Sequence, residues 1–141
     1  MMTDKGVSAR YTHPLYRKGI MSGIRVFSIP HNGDPKVLEI SGDKGAAIRD
    51  ILGGWLELLT LSTVPHLGMY INEDGKDQRL PENIRATAVA ELYRPGFSRG
   101  DSIVGNAVIV SADDMGEECD VSEESVETIR EFWDKLGFWK S

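Results

Sequence analysis

The side chains best equipped for chemistry lie in the stretch MYINEDGKDQRLPENIRAT, residues 69–87, where Tyr70, Asn72, Lys76, Arg79, Asn83, Arg85 and Thr87 follow at short spacing. Each donates hydrogen bonds or carries positive charge. If the segment folds over the start of a helix, they would converge on an anion or a carboxylate-bearing ligand, joined by the free backbone N–H groups of that helix. A second reading gives the same residues local work: Asn72 and Asp74 bond within a turn, Asn83 satisfies the start of the helix, and the arginines pair with nearby acids. The sequence alone leaves both open.

Other chemistry finds little support. His13, His31, His66 and Cys119 are too scattered for zinc-ligand spacing. A calcium loop with Gly75 at its sixth position would put Tyr70 first and Pro81 twelfth, where carboxylates are required. Cys119 lies in Glu117-Glu118-Cys119-Asp120, and neighbouring carboxylates suppress a thiolate. No nucleophile elbow, phosphate loop or dinucleotide fingerprint is present. No catalytic residue, metal or cofactor is assigned.

The chain of 141 residues, 40% apolar and 27% charged, fits one folded domain. A lone cysteine forms no internal disulfide, which points to a reducing compartment and hence the cytoplasm. No apolar run approaches the roughly 20 residues a membrane helix needs, and the start lacks the apolar core of a signal peptide. The net charge of -6 is uneven. Residues 1–20 carry Lys5, Arg10, Arg17 and Lys18 against Asp4, whereas residues 113–141 carry ten acids against Arg130, Lys135 and Lys140. Such an acidic body repels phosphate backbones and disfavours direct nucleic-acid binding.

The elements that must position these residues are expected as follows. Residues 1–22 form a flexible leader, 23–112 an α+β domain, and 113–141 an acidic linker with an amphipathic C-terminal helix. A hairpin of residues 24–30 and 36–40 opens the domain, and a helix capped by Asp43 ends at Gly53-Gly54. Residues 55–61, WLELLTL, are apolar enough for an inner strand, with residues 67–71 as partner. Gly53-Gly54 before Trp55 fits helix termination and a core aromatic better than a cleft floor. Pro81 at a first helical position, with Ile84, Ala88 and Leu92 at four-residue spacing, predicts a helix over 81–93 in preference to a strand over 85–92. Residues 102–110 are the last clear strand. Ser122 caps the final helix, with the stripe Val126, Ile129, Phe132, Trp133 and Leu136, and Gly137 stops it. Trp133, Phe138 and Trp139 are candidates for a partner-binding patch, with core packing as the competing role for Trp133. The fold expected is a single α+β domain, a mainly antiparallel sheet of about five strands with helices on one face and a C-terminal helical extension.

The motifs Gly53-Gly54-Trp55-Leu56-Glu57, MYINEDGK at 69–76, Leu80-Pro81-Glu82-Asn83 with Arg85-Ala86-Thr87, and DSIVGNA at 101–107 occur in an order that resembles the domain of unknown function 3846 family. The resemblance spans about residues 24–110. It implies a bacteriophage or mobile-element origin and action in a bacterial host, and it carries over no catalytic residues. The expected role is a non-enzymatic phage accessory protein binding a host protein or small anionic ligand through residues 70–87. The alternatives are a DNA-mimicking inhibitor of a host nucleic-acid enzyme, built on the acidic tail, or an enzyme on a nucleotide-like ligand with Asn72, Asn83 and Arg85 at one site.

Overall fold

The computed structural model describes residues 23–137. β1 (Ile24–Ile29) and β2 (Lys36–Ile40) form the expected hairpin, in register from Ile24 opposite Ile40 to Ser28 opposite Lys36. α1 (Lys44–Leu52) starts where the Asp43 carboxylate accepts from the Ala46 N–H, and stops at Gly53 in the left-handed region. β3 (Leu56–Thr63) and β4 (His66–Asn72) follow as a second antiparallel pair. Then come α2 (Ile84–Tyr93), the short turn α3 (Phe97–Gly100), β5 (Ala107–Ala112), β6 (Glu118–Cys119) and α4 (Glu123–Leu136). The sheet runs β2-β1-β5-β4-β3, antiparallel throughout, with β6 paired to the far end of β5. The fold is α+β, as expected. Among the described residues no helix is long and apolar enough to cross a membrane.

The helices divide between both faces of this sheet, where the sequence suggested one. Val26 and Val108 point towards α1, packing on its Ala47, Ile48 and Leu52. Their neighbours Phe27 and Ile109 point the other way, onto Ala86 and Val89 of α2 and Val126, Ile129 and Trp133 of α4. Strands apolar on both pleats are those covered twice. β1 and β5 meet that description, and they occupy the interior of the sheet.

β3 takes the outer edge instead. Its Glu57, Leu58, Thr60 and Thr63 are exposed, and its ladder with β4 is broken by a bulge between Thr60 and Ser62. Trp55 is no core aromatic: it is 65% exposed, with the Arg49 guanidinium 5.3 Å from its ring centre. A cation on its face gives the ring a role at the surface.

α2 begins three residues later than expected. Glu82 bridges to Val104 in extended conformation and Asn83 is the cap, so Pro81 lies outside the helix. Its buried residues are Ala86, Ala88, Val89 and Ala90, while Ile84 is 57% exposed. Small alanines let the helix lie close to the sheet.

Residues 113–120 are ordered by their acids. The Asp113 carboxylate accepts from the N–H groups of Met115 and Glu117, and that of Asp120 accepts from the Arg25 N–H. The following helix, capped by Ser122, is built into the core. Trp133 is fully buried, its ring 5.7 Å from that of Phe27, and its Nε1–H donates to the Arg85 carbonyl at 3.0 Å. It therefore cannot serve in an exposed partner patch, because its ring and its one donor are both used inside. Phe138, Trp139 and the leader lie outside the described residues.

Trp133→Ala is expected to lower the free energy of unfolding by about 3–5 kcal/mol, measured by urea denaturation. A change below about 1 kcal/mol would mean that α4 is an appendage to an independently stable sheet.

Candidate functional site

Asn83 carries the most connections in the segment singled out by its chemistry. It is 1% exposed. Its Nδ2 donates to the carbonyls of Ile29 and Gly105, both at 2.8 Å, and its Oδ1 accepts from the Ala86 N–H at 2.9 Å. Its backbone N–H donates to the Ile103 carbonyl at 2.8 Å. One side chain thus joins the end of β1, the approach to β5 and the start of α2. Thr87 completes the knot: its hydroxyl donates to the Asn83 carbonyl at 2.8 Å and accepts from the Ile103 N–H at 2.9 Å. Gly105 is held at φ 76, and a Cβ there would stand 2.8 Å from Leu80 Cδ1, so glycine suits this crossing on both counts.

Asn72 is a second fastener, also buried. Its Oδ1 accepts from the Asp74 N–H at 2.8 Å, and its Nδ2 lies 3.3 Å from Gln78 Oε1 and 3.4 Å from the Leu52 carbonyl. A Cβ on Gly54 would meet this amide at 2.7 Å. The Gly53-Gly54 pair therefore has two jobs: the first residue ends α1, and the second makes room for Asn72.

The remaining polar residues scatter. Tyr70 packs on the α1 side of the sheet and donates to Glu118 Oε2 at 2.7 Å. Burial first, then the bond and the charge of Glu118, push its phenol up to about 12. Lys76 is paired with Asp101, and that contact holds the Asp101 carboxyl below its usual range. Arg85 Nη1 donates to the Gly33 carbonyl at 3.2 Å, and Arg79 is exposed at φ 57. The structure brings Asn83 and Thr87 together, and it keeps Tyr70, Asn72, Lys76 and Arg79 apart from them.

What the fold does assemble in this region is a cleft of about 180 Å³ between β3, the 73–77 turn and residues 101–104. Leu59, Ile71, Phe97 and Ile103 give it apolar walls, and the carboxylates of Glu57, Glu73, Asp77 and Asp101 stand around it, with Lys76 as the one cation among the described residues that line it. Phe97 is placed by Glu91, whose carboxylate accepts from the N–H groups of Gly96 and Ser98 at 2.7 and 2.9 Å. Those backbone bonds hold the Glu91 carboxyl down at about 2. Apolar walls below a negative rim suit a side chain with an aliphatic stem and a cationic head. Sequence reasoning missed Glu57, Phe97 and Asp101 because their spacing along the chain hides their proximity. Among the described residues no group of three or more His, Cys, Asp or Glu side chains is arranged to hold a metal ion.

The family model of a domain of unknown function, DUF3846, matches residues 24–134, and the chain belongs to that family. The match runs beyond residue 110, where the motif resemblance stopped, and takes in most of α4. No curated protein and no solved structure matches the chain.

Asn83→Asp keeps the acceptor for Ala86 but removes both donors and sets a carboxylate against two carbonyls. It is expected to cost more than about 2 kcal/mol in urea denaturation, whereas a residue serving only a ligand would leave stability unchanged. Tyr70 gives a pH signature. With the folded phenol at about 12 against an ordinary 10.0, its contribution is fully present below about pH 10 and is lost as pH rises through 12. Tyr93, raised by burial, adds to the same alkaline limb, so the difference between wild type and Tyr70→Phe isolates the Tyr70 part. An unchanged limb in Tyr70→Phe would contradict the burial and Glu118 contact that together raise the phenol.

Proposed function

We propose that this member of a family of unknown function is a non-enzymatic accessory protein of phage type that captures a host protein in the bacterial cytoplasm, seating a basic part of that partner in the cleft beside β3. The observation that carries this reading is the charge of the cleft, four carboxylates to one paired lysine over an apolar floor. That balance favours a cationic occupant over the small anion expected from residues 70–87. Three of the donors an anion would need are committed elsewhere: Asn72, Asn83 and Thr87 donate to the chain itself. The nucleotide-enzyme alternative asks Asn72, Asn83 and Arg85 to share a pocket, and of these only Asn72 borders the cleft.

One observation favours the DNA-mimic alternative. Glu123, Glu127 and Glu131 are exposed on α4 at four-residue spacing, a row of carboxylates about 6 Å apart along the helix. A basic groove that accepts a polyanion would accept such a row. The two readings share a basic partner and differ in the surface used.

Affinity capture from bacterial lysate separates them when the full chain is compared with a Glu57→Lys/Asp77→Lys variant and a Glu127→Lys/Glu131→Lys variant. Capture lost with the cleft variant, kept with the helix variant and weakened by salt is the expected result. The reverse pattern favours the mimic, and capture unaffected by either variant contradicts both.

A further inference from the structure

We infer that the partner enters as an extended segment that adds to the sheet alongside β3, directing lysine or arginine side chains into the cleft and apolar side chains over the opposite face. This rests on the reading of the cleft as a seat for a basic partner and specifies how the partner is held. The observation behind it is a juxtaposition. Glu57 and Leu59 belong both to the last strand of the sheet and to the wall of the cleft. A strand laid along that edge therefore has one row of its side chains over the carboxylates, since alternate residues of a strand share a face.

The edge is open. Among the described residues no strand lies beyond β3, and Glu57, Leu58 and Thr60 are exposed along its regular part, before the bulge at Thr60/Ser62. An edge strand presents unpaired N–H and C=O groups, the usual template for an added strand. At the bulge the Thr60 carbonyl is already approached by Arg94 Nη1 at 3.5 Å, so the stretch offered for addition is residues 56–59. On the face opposite Glu57, Leu58 is 52% exposed, and Trp55 stands exposed just before the strand. These would contact the apolar row of the incoming segment.

The occupant follows from charge. Pairing of β3 with β3 of a second copy would bring two sets of Glu57, Glu73 and Asp77 carboxylates onto one face, a like-charge contact that opposes association. A basic extended segment neutralises the same groups. The opposite edge offers no comparable match, because the groove beside β2 and α4 mixes Arg25 and Arg130 with Glu123 and Glu127.

The test uses the full chain and a capped, fluorescein-labelled peptide alternating lysine with valine, read by fluorescence anisotropy. Two control peptides accompany it: one with glutamate in place of lysine, and one with the alternate backbone nitrogens facing β3 methylated, which keeps charge and side chains but cannot donate to the edge. Binding of the lysine peptide, none of the glutamate peptide, and a loss of about tenfold or more on methylation are expected. Amide shifts concentrated at residues 56–59 in the lysine complex would locate it. Methylation without effect would overturn strand addition while leaving the cleft reading in place, provided Glu57→Lys/Asp77→Lys abolishes binding. No binding of the lysine peptide would also overturn strand addition, and equal binding of the glutamate peptide would overturn the cleft reading with it.

Discussion

The fold hangs on the side-chain amide of Asn83. Three separated segments end at this point: β1 leaves the sheet, residues 103–105 approach β5, and α2 begins. Each presents a backbone group that the regular ladders do not use. A buried backbone group without a partner costs about 1–3 kcal/mol, so a single amide with two donors and an acceptor resolves three such problems at once. Aspartate lacks the donors, and serine lacks the reach and the second donor. Thr87, one turn further along α2, donates to the Asn83 backbone carbonyl and accepts from the Ile103 N–H, which locks the helix to the strand approach.

That knot determines what is left for function. With α2 and α4 on one face of the sheet and α1 on the other, the interior strands β1 and β5 are covered on both pleats. β3 gives only Leu61 to the buried core, with Leu59 and Leu56 packed partly buried against its two sides, and among the described residues its outer edge has no strand beside it. The 73–77 turn, held by Asn72, and the 101–104 segment, held by Asn83 and Thr87, then stand on either side of the cleft that β3 borders. Asn72, Asn83 and Thr87, which in sequence looked like part of a binding set, act as the frame, and the acids Glu57, Glu73, Asp77 and Asp101 stand exposed around the cleft.

The parts legible in the sequence are those governed by local chemistry. Asp43 and Ser122 cap the helices assigned to them, Gly53 and Gly137 end those helices, and the β1–β2 hairpin keeps its predicted strands. Asn83 as a helix cap is one of the two readings the sequence supports, and its side-chain oxygen does cap α2. Its two amide donors were invisible, because Ile29 and Gly105 lie 54 and 22 residues away. The place of β3 failed for the same reason. WLELLTL has the composition of an interior strand, but strand order is set by pairing across the chain, and AVIVSA of β5 took the middle. Trp133 was ambiguous in sequence because a helix stripe near a chain end reads the same whether it meets a core or a partner. The cleft could not be read at all, since Glu57, Asp77 and Asp101 come from three separate segments.

The central claim is that Asn72, Asn83 and Thr87 are turned inward and hold the fold. The most direct measurement is hydrogen exchange of the Asn83 side-chain amide, resolved by NMR alongside the backbone amides. Both Nδ2 protons bond to buried carbonyls, so they should exchange only with global unfolding, at the rate of the most protected amides of β1 and β5. Exchange as fast as that of an exposed asparagine would contradict the account, and Asn83 would again be free to serve a ligand.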